Sequence, residues 1–535
     1  MANDPNTIQY VIQEDGFWYI ASKEKNPYVP ELTVSAKGVA NGLSTEYNDG
    51  YDFGPDSYDP NSTASIPYTQ TTGLQEAVNY GGSDTDVLIE IYGEIKLSVP
   101  VILPAKNITI RGSLYNINTN GSNPTRGASA IVADTDFQPI TYNGVSVNYL
   151  LYTQTEITGG THQLNIYGIL FSGYPISIGS ESTTNANPDV NGIAINGGTP
   201  HLYIDYCKIS LLNNGIVIKN SSGGPKYIGH THWTYIADGG IGLTLNSGVE
   251  CVLDSPEFFT YGKANTPSSY ILVQTNNINF NVNPLRISNA NFANTLLCKN
   301  GAIAYGYASS IQISNSVCDG GYFLYPAYIN TSNAGIVELD NVIFGNNYNA
   351  SNEEALIYFD ASASGLQTVI TAHNLTYINQ SPSTGATFYL IEQGPSAVYQ
   401  ADIALYMDGF YPVHNGTGEI ANYIQIANVS GYDANLHLTG ITNFTSSTAG
   451  TTAGTVNQTL LDYRSSYKKI ILAFNGYEND TTTNQTIDFL LAFSSYAVIT
   501  GNNTGLTISA TTSGITITAP DSTTTYSGIV IIEGY

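Results

Sequence analysis

The sequence predicts an all-β protein, a right-handed parallel β-helix followed by a C-terminal β-sandwich. Three observations carry this reading. The composition favours strands and turns, a degenerate repeat runs through the middle of the chain, and the pattern changes to short alternating strands near the C-terminus.

The 535 residues leave room for two to four domains. A hydrophobic content of 42% supplies a large core and excludes global disorder. Apolar residues lean towards Ile, Val, Leu and Tyr, while Asn, Ser, Thr and Gly fill most of the remainder. That mixture suits short strands joined by turns, and it is poor in the helix formers Lys, Glu and Arg. Charge is scarce and one-sided, 16 basic residues against 42 acidic, for a formal −26. With no basic run, nucleic acid is excluded as a partner, because such affinity comes largely from clustered Lys and Arg. The acidic balance serves solubility; the alternative is life in acid, where many carboxylates are protonated.

Cys207, Cys251, Cys298 and Cys318 form no CxxC pair, so buried free thiols are expected rather than a zinc or redox site. The N-terminal MANDPNTIQY lacks the basic and apolar regions of a signal peptide, and no stretch of 18 apolar residues occurs. Neither membrane insertion nor a cofactor is expected. A chain without an export signal can still act outside the cell if it leaves as part of a particle.

Residues 1–70 read as an N-terminal attachment segment, with Val11–Ile12 and Phe17–Ile20 forming a hairpin around Glu14-Asp15-Gly16. Gly73–Val78 reads as a short amphipathic helix with Leu74, Ala77 and Val78 on one face. Strands follow at Val87–Ile91, Ile95–Leu97, Val101–Leu103 and Asn107–Arg111. The parallel β-helix is assigned to 71–400. Its repeat is a β-rich triplet, then Asn, Asp, Gly or Ser, then an aromatic or aliphatic residue, as in LYIDYCKI from Leu202, KYIGHTHW from Lys226 and LRISNANF from Leu285. With Asp205, Gly229, Asp254, Ser288, Ser314, Leu339 and Ala372 taken as equivalent, the steps are 24, 25, 34, 26, 25 and 33 residues. Three short strands and three turns fill such a coil, and stacked coils bury a continuous aliphatic column.

A transition region and linker span 401–450, with Thr445–Thr455 rich in Ser, Thr and Gly. Residues 451–535 then read as the sandwich: Lys469–Phe474 ending at an Asn475-Gly476 turn, Ile487–Phe493, Ala497–Thr500, Leu506–Ser509, Ile515–Ala519 and Gly528–Tyr535.

Two parts of the chain resemble known families. The helix–strand–strand order of 70–112 and the coils after it resemble the pectate-lyase-like β-helix superfamily, which includes phage tailspikes and polysaccharide-degrading enzymes. The stretch SSYKKIILAFNGYEND and the final YSGIVIIEGY resemble a C-terminal head domain of tail-fibre and spike proteins. Low Lys and Arg with abundant Tyr and Asn also resembles turret or spike proteins of viruses infecting thermoacidophilic archaea. The resemblance implies a virion surface protein that attaches to a host glycan or pilus, assembles as a homo-oligomer, by analogy a trimer, and meets other capsid or tail proteins. The alternative it implies is a polysaccharide hydrolase or lyase.

For that alternative, Asp205 and Asp254 occupy equivalent positions two coils apart, about 9–10 Å if rungs stack. That is near the upper edge of the roughly 6.5–9.5 Å separation of inverting glycosidases. Glu257, His230 and His232 lie close by in sequence, and Trp233 is a candidate sugar-stacking platform. The competing reading is that Asp and Asn serve turn geometry and that both histidines face solvent without a role. The paired Asp motifs, Gly-His-Gly and Arg-x-Lys of pectinases are absent, and Gly229-His230-Thr231-His232 matches the His motif only in part. Two His and a carboxylate are a weak zinc signal, and no metal site is assigned. N-x-[ST] sequons concentrate after residue 325, making Asn330, Asn349, Asn374, Asn379, Asn415, Asn428, Asn443, Asn457, Asn479, Asn484 and Asn502 candidate glycosylation sites.

Overall fold

The computed structural model describes residues 7–14, 17–24, 31–35 and 53–54, most of 69–346 apart from segments between strands, and strands from 354–359 to 525–534. Strands Thr7–Glu14 and Phe17–Glu24 pair antiparallel, the hairpin expected from sequence. From Glu31–Ser35 onward the pairing turns parallel. One long sheet of 22 described strands and a second of ten run through the body of the chain. This is a parallel β-helix.

One coil shows the plan. Pro200–Asp205 and Lys208–Ser210 lie in the long sheet on either side of a corner, and Asn214–Lys219 crosses to the second sheet. Each pairs with its counterpart in the next coil: Lys226–Gly229, His232–Thr234 and Ile241–Asn246. Three strands per coil is the number the repeat implies. The register corrects two positions. Ser314 pairs with Asp340, not Leu339, and Asp340 with His373, not Ala372. A slip of one residue reverses the face, and Leu339 and Ala372 are core residues, buried against the interior. The corrected steps from Asp205 to His373 are 24, 25, 34, 26, 26 and 33.

Inside, Ile166, Ile204, Ile228, Leu253, Ile287, Ile313 and Leu339 form one continuous column. Each buried aliphatic side chain contributes about 1.5–3 kcal/mol. A second column runs Phe171, Ile209, Trp233, Phe258, Phe292, Cys318, Phe344 and Tyr377. All four cysteines are free and buried, as expected. Burial pushes the Cys207 and Cys251 thiols up to about 12, so they act as small apolar residues rather than nucleophiles.

The helix Leu74–Asn79 buries Leu74, Ala77 and Val78, the face read from sequence. Its Gln75 side chain copies a strand. Nε2 donates to the Ile102 carbonyl at 2.8 Å and Oε1 accepts from the Ile102 N–H at 2.7 Å. Ile102 lies on Val101–Leu103, the terminal strand of the ten-stranded sheet, whose outer edge is thereby closed.

The long sheet continues through Ala401–His414 and Asn435–Thr439. Beyond it the pairing is antiparallel, in one sheet of five described strands and one of three. Lys468–Glu478 runs straight through Asn475-Gly476 and pairs with Thr481–Ala492 down to Glu478–Thr481, so the expected turn lies further on. Here an uninterrupted antiparallel ladder overrides the local Asn-Gly preference. Strands Thr442–Ser446 and Thr452–Asn457 occupy much of the expected linker. Among the described residues no helix is long and apolar enough to cross a membrane.

Candidate functional site

The corner between the two strands of each coil is the chemically loaded part of the β-helix. Its first position is an outward column: Glu90, Arg111, Tyr167, Asp205, Gly229, Asp254, Ser288, Ser314, Asp340 and His373. The next residue has positive φ in eight coils: Gly168, Tyr206, His230, Ser255, Asn289, Asn315, Asn341 and Asn374. The corner N–H reaches across to the next coil, as from His230 to the Asp254 carbonyl at 2.8 Å and from Ser255 to the Ser288 carbonyl at 2.8 Å. Later coils fill this left-handed position with Asn, which tolerates it. Tyr206 (φ 50°) does not adopt it readily, at a cost of about 1–2 kcal/mol.

On three consecutive coils this corner carries rings. Tyr203 stacks on Tyr227 with centroids 5.0 Å apart and planes within 12°. Tyr206 stacks on His230 at 4.7 Å and 8°, and Tyr167 leans on Tyr206 at 5.4 Å. These spacings match the 4.7–4.9 Å rise between strands. Tyr167, Tyr203 and Tyr206 are exposed. They form an outward ladder of rings on an otherwise polar surface.

Asp205 organises it. The carboxylate, 6% exposed, accepts from the Tyr203 hydroxyl at 3.0 Å and the Tyr206 N–H at 3.0 Å, and meets His230 Nδ1 at 3.2 Å. Burial and that carboxylate push the Tyr203 phenol up to about 12, so it is a hydroxyl donor throughout the physiological range. Gly229 leaves the space this needs, since a Cβ there would lie 2.7 Å from Asp205 Oδ1 and 2.8 Å from the Tyr227 hydroxyl. Asp254, half-buried, accepts from Ser288 Oγ at 3.1 Å, Asn289 Nδ2 at 3.3 Å and Ser255 Oγ at 3.3 Å, with the Tyr227 hydroxyl at 3.5 Å.

Around the corner stands a second pair. His232 Nδ1 lies 3.2 Å from Glu257 Oε2. Burial, with the Lys208 charge beside it, pushes the imidazole down to about 4, and burial raises the Glu257 carboxyl. The neutral ring donates from Nδ1 to the carboxylate, the tautomer this contact selects. Among the described residues no three His, Cys, Asp or Glu side chains gather closely enough to hold a metal ion.

The sequence candidates therefore divide. Asp205 with His230, and His232 with Glu257, are brought together as pairs. Asp205 and Asp254 stand two rungs apart, about 9–10 Å by strand spacing. His232 does not face solvent, because it is 9% exposed beside Lys208. Trp233 is not a surface platform: it is fully buried and stacks on Phe258 at 4.4 Å, its Nε1 without a hydrogen-bond partner. Period-2 alternation puts Trp233 on the face opposite its neighbours His232 and Thr234, which is the interior. The tyrosine ladder escaped the sequence reading, although LYIDYCKI laid over KYIGHTHW aligns Tyr203 with Tyr227 and Tyr206 with His230. Of the sequons, Asn374 is exposed at a left-handed corner; Asn379, Asn443, Asn457 and Asn484 lie on strands. Asn330, Asn349, Asn415, Asn428, Asn479 and Asn502 lie outside the described residues.

No family model matches this sequence, and no curated protein matches it. Among solved structures the chain is similar to ORF18 of Geobacillus virus E2, at 13% identity and a TM-score of 0.38, covering 97% of this chain and 83% of that one. It is similar to the tailspike gp61 of Pseudomonas phage phi297 (10% identity, TM-score 0.32, 94% and 99% covered). An alginate lyase from Paenibacillus sp. str. FPU-7 matches at 12% identity and a TM-score of 0.31, over 65% and 96%.

Proposed function

We propose that this protein is a glycan-binding attachment protein, a spike or tail-fibre-like component of a virion surface, with the ring ladder of the β-helix corner as its carbohydrate contact. The observation that carries the proposal is the ladder of exposed Tyr167, Tyr203 and Tyr206 with half-buried Tyr227 and His230, pinned by Asp205. Rings with apolar bodies and polar rims suit sugar recognition. In the same reading the β-helix is a rigid spacer over 71–400, the antiparallel strands of 451–535 form a β-sandwich head, and residues 1–70 join the chain to other capsid or tail proteins. The assembly is a homotrimer, and exposed sequons such as Asn374 carry glycans. Its test is a glycan array probed with the purified protein and with Tyr203→Ala/Tyr227→Ala. Binding that falls at least tenfold in the double variant supports the reading, and a wild-type protein that binds no glycan removes it.

A second reading, a polysaccharide depolymerase, is favoured by the His230–Asp205 contact beside Asp254. Against it, the Asp205 oxygens already hold three partners, which suits a positioning group better than a free acid or base. Release of reducing ends or unsaturated sugar from host polysaccharide, lost in Asp254→Asn and Glu257→Gln, would decide for the enzyme.

A further inference from the structure

The ring ladder ends abruptly, and the next coil puts smaller side chains where the rings stood. Tyr227 pairs in register with Val252, and the corner residue His230 is followed in the next coil by Ser255. Two ring columns thus give way together to two small side chains. Stacks spaced at 5.0 and 4.7 Å, close to the rise between strands, have their faces along the helix axis. One face of Tyr227 is covered by Tyr203 and one face of His230 by Tyr206, so their other faces look over the coil of Val252 and Ser255.

The far side of that coil is occupied again. Val252 pairs with Arg286, which is exposed and lies 3.7 Å from Glu250, and Asn289 stands at the corner after Ser255. Between Tyr227 and Arg286 lie two strand spacings, about 9–10 Å. A ring placed over Val252 sits against the other face of Tyr227, while Arg286 is turned to Glu250, two residues before Val252. The floor is Val252, Asp254 and Ser255. Asp254 is half-buried there, and its Oδ1 accepts from Ser288 Oγ and Asn289 Nδ2 along the same wall.

We infer that this notch is a subsite for a single uncharged pyranose, a hexose or N-acetylhexosamine unit of a glycan, which takes the place of the missing third ring. The inference rests on the glycan-binding reading and deepens it by naming the position and the sugar class. The apolar face of a pyranose stacks on Tyr227, while its hydroxyls meet Asp254, Ser255 and Asn289. Charge selects against uronates: Asp254 and Glu250 border the notch, its Arg286 is already matched to Glu250, and the chain carries −26. An anionic sugar would meet the Asp254 carboxylate with Arg286 already engaged by Glu250.

The test fills the notch with protein. Val252→Tyr continues the Tyr203–Tyr227 column, a substitution the register welcomes, so the fold should be kept or slightly stabilised. Isothermal titration with maltohexaose, cellohexaose, chitohexaose and an oligomannuronate is run on wild type, Val252→Tyr and, as a smaller change, Ser255→Val. The expected result is that wild type binds at least one of the three neutral oligosaccharides and not the oligomannuronate. Val252→Tyr should lose that affinity at least tenfold with an unchanged or raised melting temperature, and Ser255→Val should weaken it less. Neutral oligosaccharide binding that survives in Val252→Tyr overturns the notch while leaving the ladder reading intact. Binding of the oligomannuronate alone overturns the sugar class. No binding to any of the four overturns the notch, and an empty glycan array overturns the ladder reading with it.

Discussion

At the scale of single residues, His232 carries the clearest consequence. Its imidazole is held neutral by burial and by Lys208, with a folded-state value of about 4. In the unfolded chain the ring protonates near 6.5. The stability it contributes is therefore complete above about pH 6.5 and is lost as the pH falls towards 4, up to about 3 kcal/mol over the window. Glu257 acts in the opposite sense, since burial raises its carboxyl and the folded state gains by protonating it. His232 is the more deeply buried of the two, so its loss prevails. Going from about pH 7 to about pH 4, wild type should lose more stability, or gain less, than His232→Gln, by up to about 3 kcal/mol in thermal unfolding. Parallel curves for the two proteins would remove His232 as the cause. Asp205 shows why a carboxylate in the right column need not be an acid: its hydrogen bonds are spent on holding Tyr203, Tyr206 and His230 in place.

At the scale of elements, the helix Leu74–Asn79 acts as a lid because one side chain completes a strand edge. Gln75→Ala leaves both the N–H and the carbonyl of Ile102 without those partners. A loss of about 1–3 kcal/mol is expected, together with faster hydrogen exchange at the Ile102 amide and a greater tendency to self-associate through the opened edge. An Ile102 amide as protected as in wild type would mean that water or another group closes the edge. The helix and the first strands were legible in sequence because their apolar spacing switches cleanly from helical to alternating. The coil step was legible too, through repeated aliphatic pairs such as Ile204, Ile228 and Ile287. The face was not always legible: in VELDNVIF both Leu339 and Asp340 fit the motif, and only the parallel pairing chooses between them. For the same reason Trp233 read as a surface ring although alternation places it inside. The ladder itself was hidden because each tyrosine is an ordinary strand residue in one dimension, and becomes a neighbour of the next only when coils stack.

At the scale of the whole molecule, charge and architecture pull against each other. With 42 acidic and 16 basic residues, the chain folds with a large surplus of negative charges. Where the pairing allows, the coils neutralise them locally, as Arg111 does for Glu90 and Lys299 for Asp238 at 2.9 Å. Most carboxylates have no such option, and net charge of this size destabilises a folded chain through self-repulsion. Raising the salt from about 0.01 M to about 0.15 M shortens the screening length from about 30 Å to about 8 Å, which spans fewer than two rungs. At neutral pH the melting temperature should therefore rise by a few degrees across that range. Near the calculated isoelectric point of 4.3 the repulsion is gone and the salt effect should vanish. The His232 loss persists there, because a buried imidazole is little screened. Differential scanning calorimetry on a grid of salt and pH separates the two: a melting temperature insensitive to salt at neutral pH would show that surface repulsion does not limit this fold.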